Sequence, residues 1–169
     1  QDFFLAYNGL GLLYQETKNW QKAFDSFQMA VDNDIPESEC LLGEIYYYGN
    51  PEIKKDFKKA FPLFTKAASR ILTGGSNQAK AQHLLGTMYM KGEGTEQNYE
   101  QGLTWYKRSV AMGEVTGYVG AEYSIGMAYK GGFGVPQNFD EAFVWLEKAA
   151  NKNYALAQSQ LSSFYQKGL

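Results

Sequence analysis

The residues Tyr129 to Leu146, YKGGFGVPQNFDEAFVWL, crowd glycine and proline into a short run ahead of a helical pattern. Glycine before a helix can let backbone N–H groups close on a phosphate. The run lacks the GxxxxGK[ST] order of a nucleotide loop, and no strand leads into it. The alternative is a turn joining two helices. His83 and Cys40 stand alone in their types, so no His/Cys metal cluster or Cys–His pair is on offer. His83 is expected on an outward face of a helix, in a surface or packing role, and Cys40 as a partly exposed helix residue. Asp140 with Glu141, and Glu37 with Glu39, read as helix-start charges that complement the dipole. A carboxylate pair for glycoside hydrolysis is the chemical alternative to that reading. The lysines of KKDFKK, Lys54 to Lys59, read as a solvated loop and helix start, with binding to an acidic surface as the functional alternative.

Repetition decides the glycine question. Shifting back 40 residues lays GEGTEQNYEQGLTW, from Gly92, under GGFGVPQNFDEAFVW. Gly132 falls on Gly92, Gly134 on Gly94, Gln137-Asn138 on Gln97-Asn98, and Trp145 on Trp105. A phosphate loop is not normally copied with its flanking helices, whereas the turn of a repeat protein is. Further copies start at Leu10-Gly11 with Tyr14, Leu42-Gly43 with Tyr46, and Leu161-Ser162 with Tyr165. Gly49, Gly92, Gly132 and Gly168 each follow the small residue of their copy by six positions. A second signature, at Lys22-Ala23, Lys59-Ala60, Gln101-Gly102 and Glu141-Ala142, opens the partner helix.

Leucine, glycine and tyrosine at i, i+1 and i+4 share one helix face, and the glycine admits a close neighbour. First helices are expected near 2–16, 36–48, 76–91, 117–130 and 154–167, and second helices near 19–33, 56–72, 98–112 and 138–151. Nothing reads as a strand. Asn98 and Asn138 are N-cap candidates. Trp105 and Trp145 belong on the buried stripe, and Pro62 should distort its helix or lie near its first turn. Tyr46 holds the pattern position, which leaves Tyr47 and Tyr48 as extra aromatic surface.

The copies Glu39 to Ala68, Ala81 to Val110 and Ala121 to Ala150 resemble Sel1-like repeats, relatives of the tetratricopeptide repeat. The family pattern runs A-x-x-x-L-G-x-x-Y-x-x-G-x-G-V and then D-x-x-K-A-x-x-W-x-x-K-A-A. The first copy, without the glycine pair, departs most, and the last is a first helix alone. The resemblance implies an all-α, right-handed superhelix of about four and a half helix pairs. The copies lie near 1–34, 35–75, 76–114, 115–153 and 154–169, in one array that is expected to be part of a longer protein. It further implies a non-enzymatic scaffold for a protein or peptide partner, with no cofactor and no metal. Alternatives are a spacer or adaptor for a flanking domain, catalytic or not, and an adaptor of endoplasmic-reticulum protein degradation.

First helices should line the inner surface of such an array. Positions three before, one after and four after each repeated small residue then face the groove. They are Asn8, Leu12 and Gln15; Cys40, Glu44 and Tyr47; His83, Thr87 and Met90; Tyr123, Met127 and Lys130; and Ser159, Ser163 and Gln166. Leu161, Phe164 and Tyr165 are expected on an unpaired face suited to self-association. The net charge of −2 argues against a nucleic-acid partner. No apolar run is long enough to cross a membrane. A single cysteine permits no internal disulfide and sets the chain apart from family members with paired cysteines in each repeat. Bacterial periplasmic, secreted or cytoplasmic settings are favoured over the endoplasmic-reticulum lumen.

Overall fold

A computed structural model describes residues 2–70, 75–112 and 118–167. Gly168, part of both long links (71–74 and 113–117) and the expected helix ends at 71–72 and 117 lie outside the described residues. Among the described residues every regular element is helical. The elements are α1 (Asp2–Glu16), α2 (Trp20–Asp32), α3 (Pro36–Tyr48), α4 (Phe57–Ser69), α5 (Ser76–Lys91), α6 (Tyr99–Ala111), α7 (Val119–Gly131), α8 (Phe139–Asn151) and α9 (Ala155–Lys167). Each helix packs on its chain neighbours, and the first helices α3 and α5 also touch directly. This quasi-linear contact order is that of an α-helical repeat superhelix.

The repeated glycine sets the crossing inside each pair. A Cβ placed on Gly126 would stand 2.8 Å from Leu146 Cγ, and one on Gly43 would stand 2.8 Å from the Phe64 ring. The same relation joins Gly11 to Phe27 and Gly86 to Tyr106. The apolar core is divided among the junctions between successive copies. Phe27 and Leu42 fill the first, Phe64 and Leu85 the second, Tyr106 and Ile125 the third, and Leu146 and Phe164 the fourth.

The glycine loops are turns whose repeated Gln-Asn pair serves the fold. Gly132 caps α7 in the left-handed region. Gly134, at φ 75°, lies so close to the Tyr99 carbonyl that a Cβ would stand 2.5 Å from that oxygen. Each such loop therefore docks on the start of the previous second helix. The side chain of Gln137 donates to the Lys130 carbonyl at 2.8 Å, and Asn138 Oδ1 accepts from the Glu141 N–H at 3.0 Å. Gln97 and Asn98 repeat both bonds, so the two expected N-caps are present.

Other expectations are corrected. Trp105 and Trp145 are half-buried, each with a cation over its ring (Arg108 at 4.6 Å, Lys148 at 4.2 Å), while Leu103 and Leu146 occupy the deep stripe. Pro62 lies inside α4, on its exposed side and beyond the first turn, and the helix continues past it to Ser69. Glu39 is more than a helix-start charge. It is fully buried, with Arg70 donating to both carboxylate oxygens and Lys66 Nζ 3.0 Å from Oε1. At the C-terminal end Phe164 is buried and Leu161 half-buried on α8, which leaves Tyr165, 68% exposed, as the open residue of that trio.

Candidate functional site: the face of the first helices

The expected groove positions divide into structural and accessible groups. Asn8 Oδ1 accepts from the buried Ser38 hydroxyl at 2.9 Å, tying α1 to α3. Leu12 is exposed and Gln15 half-buried. Cys40 is buried rather than partly exposed, and its thiol faces Glu44 Oε1 at 3.7 Å. Burial, then the nearby Glu44 charge, raises its pKa well above the usual thiol range, so it stays a protonated packing residue. Glu44 pairs with Lys80 of the next first helix. Ser159 and Gln166 are exposed and Ser163 is half-buried. Lys130 Nζ donates to Gln160 at 2.7 Å and lies over the Phe164 ring.

Tyr47 corrects the expectation of aromatic surface. Its ring is buried against Phe57 and Phe64, and its hydroxyl donates to Glu93 Oε2 at 2.8 Å. Tyr48, one residue on, is exposed and packs edge-on against it. The accessible tyrosine of this copy is therefore Tyr48.

His83 is not on an outward face. Its ring lies between Tyr106, at 5.3 Å, and Tyr118, at 4.8 Å. The hydrogen bonds fix its tautomer. Ser124 Oγ donates its proton to the Gly120 carbonyl at 2.8 Å, so at 3.1 Å it must accept from His83 Nε2–H. Nδ1 is then a buried acceptor without a partner among the described residues. Thr87 Oγ1 donates to the His83 carbonyl at 3.0 Å and accepts from the Tyr106 hydroxyl at 3.1 Å. Burial pulls the His83 pKa down to about 4, so the ring is neutral at physiological pH.

Two cavities open on either side of this stacked pair. One, of about 350 Å³, is lined by Tyr47, Tyr48, Lys55, Phe57, His83, Leu84, Thr87, Lys91 and Glu93. The other, of about 160 Å³, is lined by Met90, Tyr106, Tyr123, Ser124, Met127, Ala128 and Phe133. They bring together the expected Tyr47, His83, Thr87, Met90, Tyr123 and Met127. They do not include Asn8, Gln15, Glu44, Lys130, Ser159 or Gln166.

The register did not single out Tyr118 and Tyr154. Each lies eight residues before its repeated small residue, Gly126 or Ser162. Tyr118 packs at a tilt on His83, and Tyr154 on Tyr123 at 5.4 Å, so each covers the groove residue of the previous copy. Aligning the starts of the first helices, as well as their glycines, would have found both. Among the described residues, no group of three or more His, Cys, Asp or Glu side chains is arranged to hold a metal. No described helix is long and apolar enough to cross a membrane.

The Sel1 repeat family pattern matches residues 36–70, 79–114 and 119–154. A Sel1 repeat protein from Oxalobacter formigenes superposes with a TM-score of 0.76 at 29% identity, over 96% of this chain and 64% of its own. A protective antigen of uropathogenic Escherichia coli, c5321, gives a TM-score of 0.51 at 18% identity over 98% of this chain and 42% of its own. Helicobacter pylori cysteine rich protein B gives 0.50 at 20% identity over 67% of this chain and 85% of its own. The last two likenesses speak for fold alone. The chain spans 64% and 42% of the lengths of the first two structures. No curated protein sequence matches it. The chain belongs to the Sel1 repeat family, whose members are generally protein-interaction scaffolds.

Proposed function

We propose that this Sel1 repeat chain is a non-enzymatic scaffold that binds an extended protein segment along the face of its first helices. The supporting observation is the pair of cavities beside His83 and Tyr106, one walled by α3 and α5 and the other by α5, α6 and α7. Their walls combine tyrosine, methionine and a few polar groups. Such a surface supplies aromatic anchors and adaptable packing to a peptide. The Tyr47, Thr87, Tyr106 and Ser124 hydroxyls make bonds within the fold, which leaves Tyr48 and Tyr123 as the wall tyrosines offered to a partner.

The reading is tested with a displayed library of random peptides. Selected peptides should lose affinity for a Tyr48→Ala/Tyr123→Ala variant. They should keep it for Glu100→Ala/Glu147→Ala, which changes exposed positions on second helices. Tyr47 is left intact because it is core. Recovery of no peptide, or of peptides indifferent to the inner-face pair, would overturn the reading.

A spacer or adaptor role for a neighbouring domain is the second reading. It is favoured by apolar side chains exposed at both ends of the array, Leu5, Leu12 and Leu13 on α1 and Phe139, Val144 and Tyr165 on α8 and α9. The same residues suit self-association. A sedimentation series over protein concentration tests that variant of the reading: a constant monomer mass would rule it out.

A further inference from the structure

The two cavities differ in chemistry, and the difference specifies a ligand. The larger one is rimmed by Lys55 and Lys91, with Glu93 as its one acid. Glu93 is already engaged: Oε2 accepts the Tyr47 hydroxyl, and Oε1 lies only at 3.9 Å from Lys91 Nζ. Lys55 has no ion-pair partner among the described residues and is exposed. Tyr48 stands at the same rim. Burial, then the Glu44 charge, raises its pKa, so its hydroxyl keeps its proton and remains a donor. The wall therefore presents two ammonium groups and a phenol against the single, already engaged carboxylate of Glu93, a net positive patch in a chain whose net charge is −2.

The smaller cavity has no charged wall. Met90, Met127, Tyr123 and Phe133 form most of it, and the flexible thioethers can adjust to an apolar guest. His83 belongs to the first cavity and stacks at 5.3 Å on Tyr106 of the second, so only two rings separate them. Alternate side chains of an extended chain point the same way at a spacing of about 7 Å.

Resting on the groove reading above, we infer that the segment recognised is acidic and apolar. An Asp or Glu side chain enters between Lys55 and Lys91, and a Leu, Met or Phe two positions along fills the cavity between Met90 and Met127. Charge complementarity selects the carboxylate and rejects a basic residue there.

The peptide library tests this on the intact chain. Binders should be enriched in Asp or Glu at a fixed short spacing from a large apolar residue. Their affinity should fall about tenfold or more in Lys55→Glu/Lys91→Glu, and as salt is raised. Selection on that variant should turn the acidic preference basic. Both lysines are exposed, and helicity by circular dichroism confirms that the variant folds. If it does not, Lys55→Gln/Lys91→Gln replaces it, with the same loss expected and no reversal. Binders that need Tyr48 and Tyr123 but show no acidic preference, or ignore the lysine changes, would overturn this inference and leave the groove reading standing. Recovery of no binder would overturn both.

Discussion

His83 illustrates how one side chain can be fixed by neighbours that lie far apart in sequence. Ser124 spends its proton on the Gly120 carbonyl, so the imidazole donates to it from Nε2, and Nδ1 is left bare. Protonating Nδ1 would bury a charge, which is why the pKa lies near 4 instead of 6.5. A depressed base pKa means that the unfolded chain takes up the proton first. Stability is therefore undiminished above about pH 6.5, declines as pH falls and has lost the whole His83 contribution below about pH 4. The contribution is on the order of 2 kcal/mol, reduced from the full shift because the ring is only part-buried. Acid unfolding of wild type and His83→Phe should diverge over that window, and comparing the two removes the carboxylates that titrate beside it. Equal pH slopes would contradict the assignment. Cys40 gives a second test at this scale: its buried thiol should resist alkylation until the chain unfolds.

At the scale of the element, the helix pairs are held by a crossing glycine and a buried polar tie. Gly126→Val must push Leu146 away from a 2.8 Å approach, and an overpacked crossing costs about 1–3 kcal/mol in urea denaturation. Arg70→Met leaves the buried Glu39 carboxylate with the exposed Lys66 as its remaining cationic partner. It should cost more than the Glu39→Leu/Arg70→Met pair, with about 3–5 kcal/mol as the scale for stranding a buried charge. A double variant less stable than the single would contradict this. Helix bounds were legible because LG-x-x-Y, the glycine loop and the QN turn each carry a local signal. α3 and α5 fall on the expected spans. Glu39 was not legible as a core residue, since its partner Arg70 lies thirty-one positions on, across a helix. Tyr47 was misplaced for a related reason. The second of three consecutive tyrosines turns inward because Glu93, from the next copy's loop, receives its hydroxyl.

The whole molecule is a row of junctions, each with its own core, so damage should stay local. Hydrogen exchange in Gly126→Val should rise most in α7 and α8 and least in α1 and α2, the pattern of nearest-neighbour stability in a repeat array. The sequence shows which face the first helices share, yet it does not say which groove positions are open. Asn8, Cys40 and Tyr47 face the same way in the register as Thr87 and Met127, but Ser38, Lys80 with Glu44, and Glu93 close over or bond to the former three. Lateral contacts between copies, not helical periodicity, make that selection.

The central claim is that the face of the first helices binds an extended segment. Its most direct test is the affinity of one library-selected peptide for wild type, Tyr48→Ala/Tyr123→Ala and Glu100→Ala/Glu147→Ala, measured by titration calorimetry with helicity checked in each. The account predicts a loss of about tenfold or more for the first variant and none for the second. Equal affinity for all three, or a loss confined to the second-helix variant, would contradict it.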